Sequence, residues 1–188
     1  MVRVWLLGVV AIAACRPAAA KPREKPTDFV DVGSVIPDVV LDLRYATDAN
    51  FTGKAVYPVA HCKLRRAVVA RLTKAAVVLR KRDRRLLVWD CYRPKSIQEA
   101  FWKLVPDERY VADPKKGSRH NRGAAVDVTL VGRDGHELAM GTAHDDFSEK
   151  ARPDSPLVSA TARANQRILK GAMEAEGFAQ IKDRKSVV

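Results

Sequence analysis

Between Leu64 and Leu79, apolar residues at 64, 67, 68, 72, 75, 76 and 79 trace a single stripe. Steps of three and four residues line one face of an α-helix, so this stretch predicts the most regular element of the chain. Before it, residues 35–45 (VIPDVVLDLRY) carry β-branched apolar side chains in partial alternation and read as a strand. Residues 50–60 (NFTGKAVYPVA) are rich in turn formers. After the helix, Leu86–Trp89 is a short apolar strand that runs into Asp90-Cys91-Tyr92-Arg93-Pro94. Ser96-Ile97-Gln98-Glu99 has the spacing of a capping box and predicts a second helix opening there, closed before Pro106.

The segment 111–118 is a polar loop with Pro114 and Gly117. Residues 124–130 (AAVDVTL) are β-rich. On a strand Val126, Val128 and Leu130 share one face, and Ala125, Asp127 and Thr129 share the other. The wholly apolar face should pack inward, which turns Asp127 toward a polar cleft. Asp134-Gly135 signals a hairpin turn, with a return strand near Glu137–Met140. A last helix is expected from Ser159 to Glu176, with Ile168, Leu169, Ala172 and Met173 as its apolar stripe and Gly177 as its C-cap. Helices mixed with short antiparallel strands give an α+β class, and 188 residues suit a single domain with a small antiparallel sheet and flanking helices.

Composition narrows the partners. Apolar residues make up 47% and charged residues 30%, as in an ordinary globular protein, while the net charge of +12 favours anions. The densest basic run, Arg80-Lys81-Arg82-Asp83-Arg84-Arg85, sits where the first helix should end, and cations there suit the helix dipole. No aromatic residues interleave with it, so nucleic acid is not expected as a partner. A surface facing anionic membrane or wall polymers accounts for the charge equally well. At the N-terminus Arg3 precedes the apolar run Val4–Ala14, which has the length of an export signal and is too short for a permanent span. The signal is assigned to residues 1–20, and the chain is expected to be exported to the periplasm. Two processing sites remain open: Ala18-Ala19-Ala20, and a lipoprotein box Ile12-Ala13-Ala14-Cys15 that would place a lipid on Cys15 and attach the protein to the membrane surface. Export leaves Cys62 and Cys91 in the mature domain, where they form either a disulfide or two small buried apolar residues.

One cluster carries candidate chemistry: Ser118-Arg119-His120-Asn121-Arg122-Gly123-Ala124-Ala125-Val126-Asp127. An imidazole and a carboxylate at this spacing can share a zinc ion if the loop folds His120 over the strand that bears Asp127, with Gly123 making the turn. The segment SRHNRGAAVD matches the pattern SxHxxGxAxD and resembles the zinc D,D-peptidases of the D-alanyl-D-alanine dipeptidase (VanX-like) family. Further landmarks in the same order are Asn50 to Lys54, Tyr57-Pro58, Cys62, Leu64-Arg65, Asp90 to Pro94, Met140-Gly141-Thr142 with Asp145 and Phe147, and Glu176-Gly177-Phe178. The resemblance covers residues 28–181. It implies a zinc cleft in which His120 and Asp127 are two of three metal ligands. It further implies that Arg93 steadies the oxyanion of the tetrahedral intermediate and that Ser118 touches substrate.

The tail departs from that pattern. Five residues after the Gly-Phe pair the family carries Glu-Trp-Trp-His, whose Glu is the general base and whose His is the third ligand. Here Arg184 and Val187 stand in those places, and residues 182–188 read as an atypical tail. His61, His136 and His144 are not assigned as substitutes, and Glu176 and Asp183 are out of register for the base. The expectation is therefore a zinc-dependent dipeptidase acting on D-Ala-D-Ala or a similar dipeptide in wall turnover, truncated and impaired in this chain. The alternatives are a D,D-carboxypeptidase on wall stem peptides and a non-catalytic wall-binding relative.

Overall fold

The computed structural model describes residues 24–152 and 155–180. The expected signal over residues 1–20 with Cys15, and the tail at 182–188, lie outside the described residues. The chain forms β1 (Phe29–Asp31), β2 (Val40–Leu41), β3 (Lys63–Arg65), α1 (Arg66–Arg80), β4 (Arg84–Asp90), α2 (Lys95–Leu104), β5 (Asp127–Gly132) and α3 (Ala160–Ala175). Strands β1 and β3 make a two-stranded antiparallel sheet. In the second sheet β4 is central, parallel to β2 and antiparallel to β5. The class is α+β as expected, but this second sheet is mixed rather than purely antiparallel.

Helix α1 turns Val69, Leu72, Ala75, Ala76 and Leu79 into the core. Because it starts at Arg66, Leu64 belongs to β3, and Val69 takes the place expected of Ala67, which is exposed. Helix α3 packs against α1 and β5 and contributes Leu169, Ala172 and Met173. These residues share one core with Leu86, Val88, Val126, Val128 and Leu130. The apolar face read from residues 124–130 thus packs into this core, while Thr129 and Val131 on the other face are buried as well, Val131 against Leu87 and Trp89. Ser159 caps α3 by accepting a hydrogen bond from the Ala162 amide at 3.1 Å. At its other end the Phe178 amide donates to the Met173 carbonyl and the Gly177 amide to Glu174, with Gly177 at φ +78°. This pairing closes the helix and folds Phe178 onto the core.

Three expectations give way to tertiary partners. In residues 35–45 only Val40–Leu41 pairs as strand, because the Ile36 amide turns back to the Val32 carbonyl and Arg44–Ala46 coils into a 3-10 turn. The capping box at Ser96 does not form: Pro94 is the N-cap of α2, and Gln98 points inward to other partners. The return strand near Glu137–Met140 is reduced to one bridge, Val131 to Glu137. Beyond it, Asn165 and Gln166 of α3 donate to the carbonyls of Ala139 and Met140 in place of a neighbouring strand.

Two features shape the molecule around the end of β4. The pairing of β4 with β5 slips between Val88 and Asp90, so that Asp90 stands opposite Asp127. An extra residue at this point re-aims the strand end, as bulges beside functional sites do. Cys62 and Cys91 are joined in a disulfide with Cα atoms 5.2 Å apart, which ties the start of β3 to the residue just past β4. Among the described residues no helix is long and apolar enough to cross a membrane.

Candidate metal centre

His120 opens a 3-10 turn, His120–Arg122, that hangs above the end of β5. The turn holds because the Ser118 hydroxyl accepts the His120 amide at 3.2 Å and the Asn121 side chain accepts the Ser118 amide at 2.9 Å. Gly123 ends it at φ +64°, and a Cβ there would meet the Phe29 ring at 2.4 Å. No other residue fits such a turn against such a neighbour.

The two ring nitrogens of His120 then have different surroundings. Nδ1 lies 2.7 Å from the Cys91 carbonyl, to which it donates. That bond leaves Nε2 facing Asp127, whose Oδ1 is 3.4 Å away. Two zinc bonds of about 2.0–2.2 Å meeting at a tetrahedral angle set their donor atoms about 3.3–3.6 Å apart. The donors fit zinc in identity and in spacing. A second carboxylate, Asp90, completes a group of His and Asp atoms within 4.8 Å of one another. Asp90, however, is already saturated. Its Oδ1 accepts from the Tyr57 hydroxyl and the Cys91 amide, and its Oδ2 accepts Nε and Nη2 of Arg93. It also lies on the Nδ1 side of His120, at 3.5 Å, away from the nitrogen left free.

Arg93 is buried, and its charge is balanced by Asp90 at 2.6 Å. Gln98 accepts from Nη1 at 2.9 Å, and the rings of Tyr45 and Phe101 lie 5.3 and 4.9 Å from the guanidinium carbon. Three of five guanidinium hydrogens are thus engaged, leaving one on each terminal nitrogen. Nη2 lies 3.9 Å from Asp127 Oδ2, so the free edge turns toward the His120–Asp127 pair. The ion pair with Asp90 and a role in the cleft are compatible: the pair aims the guanidinium.

Electrostatics follow from the packing. Burial pushes the Asp127 carboxyl up, but the His120 imidazole and then the Arg93 guanidinium outweigh it and hold the group at about 2. Burial lowers the His120 pKa, yet the Asp127 carboxylate more than compensates and leaves it above the ordinary histidine value. The site therefore keeps a half-buried carboxylate ionised beside a buried imidazole, as a cation site must.

Of the other histidines, His61 and His136 are exposed. His144 is stacked between Tyr45 and Trp89, with ring centroids 5.4 and 5.1 Å away, and its charge also lowers Asp127. It lies outside the group formed by Asp90, His120 and Asp127. A cavity of about 370 Å³ adjoins the site, walled by His120, Asp127, Ala67, Met173 and Phe178, with Arg119 on its wall. Of the residues singled out in the sequence, the structure brings Arg93, His120 and Asp127 together, while Ser118 is buried and its hydroxyl meets the His120 amide rather than the side chains of the group. The structure adds Gln98, Tyr57 and the Cys91 carbonyl, which sequence reasoning missed. Asp90, three residues before Arg93, was the readable signal for the buried ion pair.

An imidazole and an ionised carboxylate at zinc-binding separation, beside an anchored guanidinium, are the makings of a metallohydrolase. The family model described as D-ala-D-ala dipeptidase, of peptidase family M15, matches residues 25–183, and the chain belongs to that family. It is 36% identical over 155 residues to D-alanyl-D-alanine dipeptidase of Escherichia coli K12, covering 82% of this chain and 80% of that protein. It is 34% identical over 176 residues to a protein of the same name from Streptomyces coelicolor, covering 81% and 86%. A third of that name, from Enterococcus faecalis V583, is 31% identical over 171 residues, covering 80% and 85%.

Proposed function

We propose that this protein is an exported zinc-dependent dipeptidase that hydrolyses D-Ala-D-Ala or a closely similar dipeptide in cell-wall turnover. The observation that carries the reading is the 3.4 Å approach of His120 Nε2 to Asp127 Oδ1, with Nδ1 already committed to a carbonyl. Zinc held there supplies a Lewis acid and an acidified water. Arg93 offers its two unengaged hydrogens to the oxygen that becomes negative as the peptide carbon turns tetrahedral. Ser118 keeps its hydroxyl hydrogen for the substrate, since the oxygen serves the His120 amide only as acceptor. The adjoining cavity has small apolar walls for methyl side chains and Arg119 for a carboxylate.

Arg184 and Val187 supply neither a general base nor an imidazole ligand. The same reading therefore makes this chain a weak zinc binder with slow turnover. The Cys62–Cys91 disulfide suits an oxidising compartment, which supports export under the signal at residues 1–20. Lipid on Cys15 would add surface attachment.

The test is zinc titration together with D-alanine release from D-Ala-D-Ala. Compared with the unaltered chain, His120→Ala and Asp127→Ala should each lower zinc affinity by at least about tenfold. The double variant Arg184→Glu with Val187→His should raise both affinity and turnover. Zinc affinity unchanged by loss of His120 and Asp127 would sink the reading. Release of D-alanine only from longer stem peptides would move it to a carboxypeptidase.

A further inference from the structure

Strand β4 ends at Asp90, and the next residues carry no ladder pairing, yet two groups of the candidate centre depend on where they lie. The Cys91 carbonyl accepts His120 Nδ1 at 2.7 Å, and the Cys91 amide donates to Asp90 Oδ1 at 2.9 Å. Asp90 in turn holds the Arg93 guanidinium. One backbone unit therefore sets both the tautomer of the imidazole and the counter-ion of the arginine. From the other sheet that unit is held by the disulfide to Cys62, by the Tyr92 amide donating to the Lys63 carbonyl at 3.1 Å, and by the Phe29 ring against Tyr92 with centroids 4.9 Å apart. Cys62 is anchored through its own carbonyl, which accepts the Val32 amide at 2.8 Å, and both sulfurs belong to fully buried residues.

We propose that the Cys62–Cys91 disulfide is a positioning element of the metal centre, holding the Cys91 carbonyl where it fixes the His120 tautomer and presents Nε2 to the ion. The inference rests on the zinc reading of the site, but its first readout does not. The side-chain bond on Cys91 ties the residue just past β4 to the residue just before β3. Without it, the segment keeps the Tyr92–Lys63 hydrogen bond, the Phe29–Tyr92 ring contact and the bond from the Arg93 amide to the His120 carbonyl, but Cys91 itself loses its covalent tether and its carbonyl can turn from Nδ1. Partners that orient a ligating histidine typically account for about 10–100-fold in metal affinity. A staple that merely cross-links the unfolded chain accounts for none.

The experiment compares the oxidised full chain with the double variant Cys62→Ala, Cys91→Ala, which keeps the carbonyl and removes the bond. Nitrogen-15 NMR reads the His120 tautomer, and chelator competition reads the zinc Kd. Oxidised protein should show a protected Nδ1 proton on His120. The variant should lose that signal while remaining folded, and its zinc Kd should rise by at least about tenfold. If the variant does not fold, the unaltered chain reduced with dithiothreitol carries the imidazole measurement in metal-free buffer. A retained Nδ1 proton with a zinc Kd within about twofold of the parent would overturn the proposal, however far melting falls. An oxidised chain with the protected proton but no zinc binding would overturn the zinc reading alone, and the imidazole signal would still decide this one.

Discussion

His120 uses its two nitrogens for different ends, and the consequence is a pH dependence that can be measured. Without metal, the imidazole and Asp127 form a buried ion pair, with His120 raised above its ordinary value and Asp127 held at about 2. The His120 contribution to stability is fully present below the unfolded histidine pKa and is lost as pH rises through the raised folded value. The Asp127 contribution is present above the ordinary carboxylate range and is lost as pH falls through about 2. Zinc needs the unprotonated imidazole, so binding must expel that proton. Zinc affinity should therefore climb by about tenfold per pH unit on the acid side of the His120 pKa and level off above it. Calorimetric titration across that range checks this, and an affinity flat with pH would mean that Nε2 is not a donor.

At the scale of elements, the turn carrying His120 depends on one backbone conformation. Gly123→Ala would place a side chain at φ +64° and drive its Cβ into the Phe29 ring. The strained conformation alone costs about 1–2 kcal/mol, and the clash adds to it. Denaturant unfolding should show a loss of at least about 2 kcal/mol, accompanied by weaker zinc binding as the turn shifts. Stability unchanged by the substitution would mean that the turn adapts freely. How legible such elements are in the sequence depends on where their hydrogen bonds go. Helix α1 is readable because its face repeats over four turns against a single core. Helix α3 is readable to within a residue because Ser159 and Gly177 satisfy its own ends. The capping box at Ser96 misleads because α2 opens earlier, with Pro94 as its N-cap, so Ser96 already lies in the first turn and Glu99 pairs with Lys95. The return strand misleads because its carbonyls are taken by α3 side chains distant in sequence. The site obeys the same rule. His120, Asp127 and Arg93 sit in motifs that carry their spacing with them. The Cys91 carbonyl and Gln98 act through contacts that no local pattern encodes.

Across the whole molecule, one covalent bond joins two sheets that share no strand. β1–β3 and β2–β4–β5 meet through α1 and the common core, and the Cys62–Cys91 bridge spans 29 residues of chain between them. Closing a loop of that length in the unfolded chain removes entropy worth about 3–4 kcal/mol at room temperature in the chain-entropy model. Stability of a domain is typically only about 5–15 kcal/mol, so loss of the bridge removes a large share of it. The Cys62→Ala, Cys91→Ala variant should accordingly unfold at lower denaturant, by an amount near that estimate, with the slope of the transition changed because the unfolded chain is less compact. Zinc held at the proposed site by the folded state alone would, at about 100 times its Kd, restore about 2.7 kcal/mol. The recovery measured in the variant should fall short of that in the parent at equal zinc, by about 1.4 kcal/mol for each tenfold rise in the variant's Kd. Equal recovery in both would show that the bridge stabilises the fold without reaching the metal.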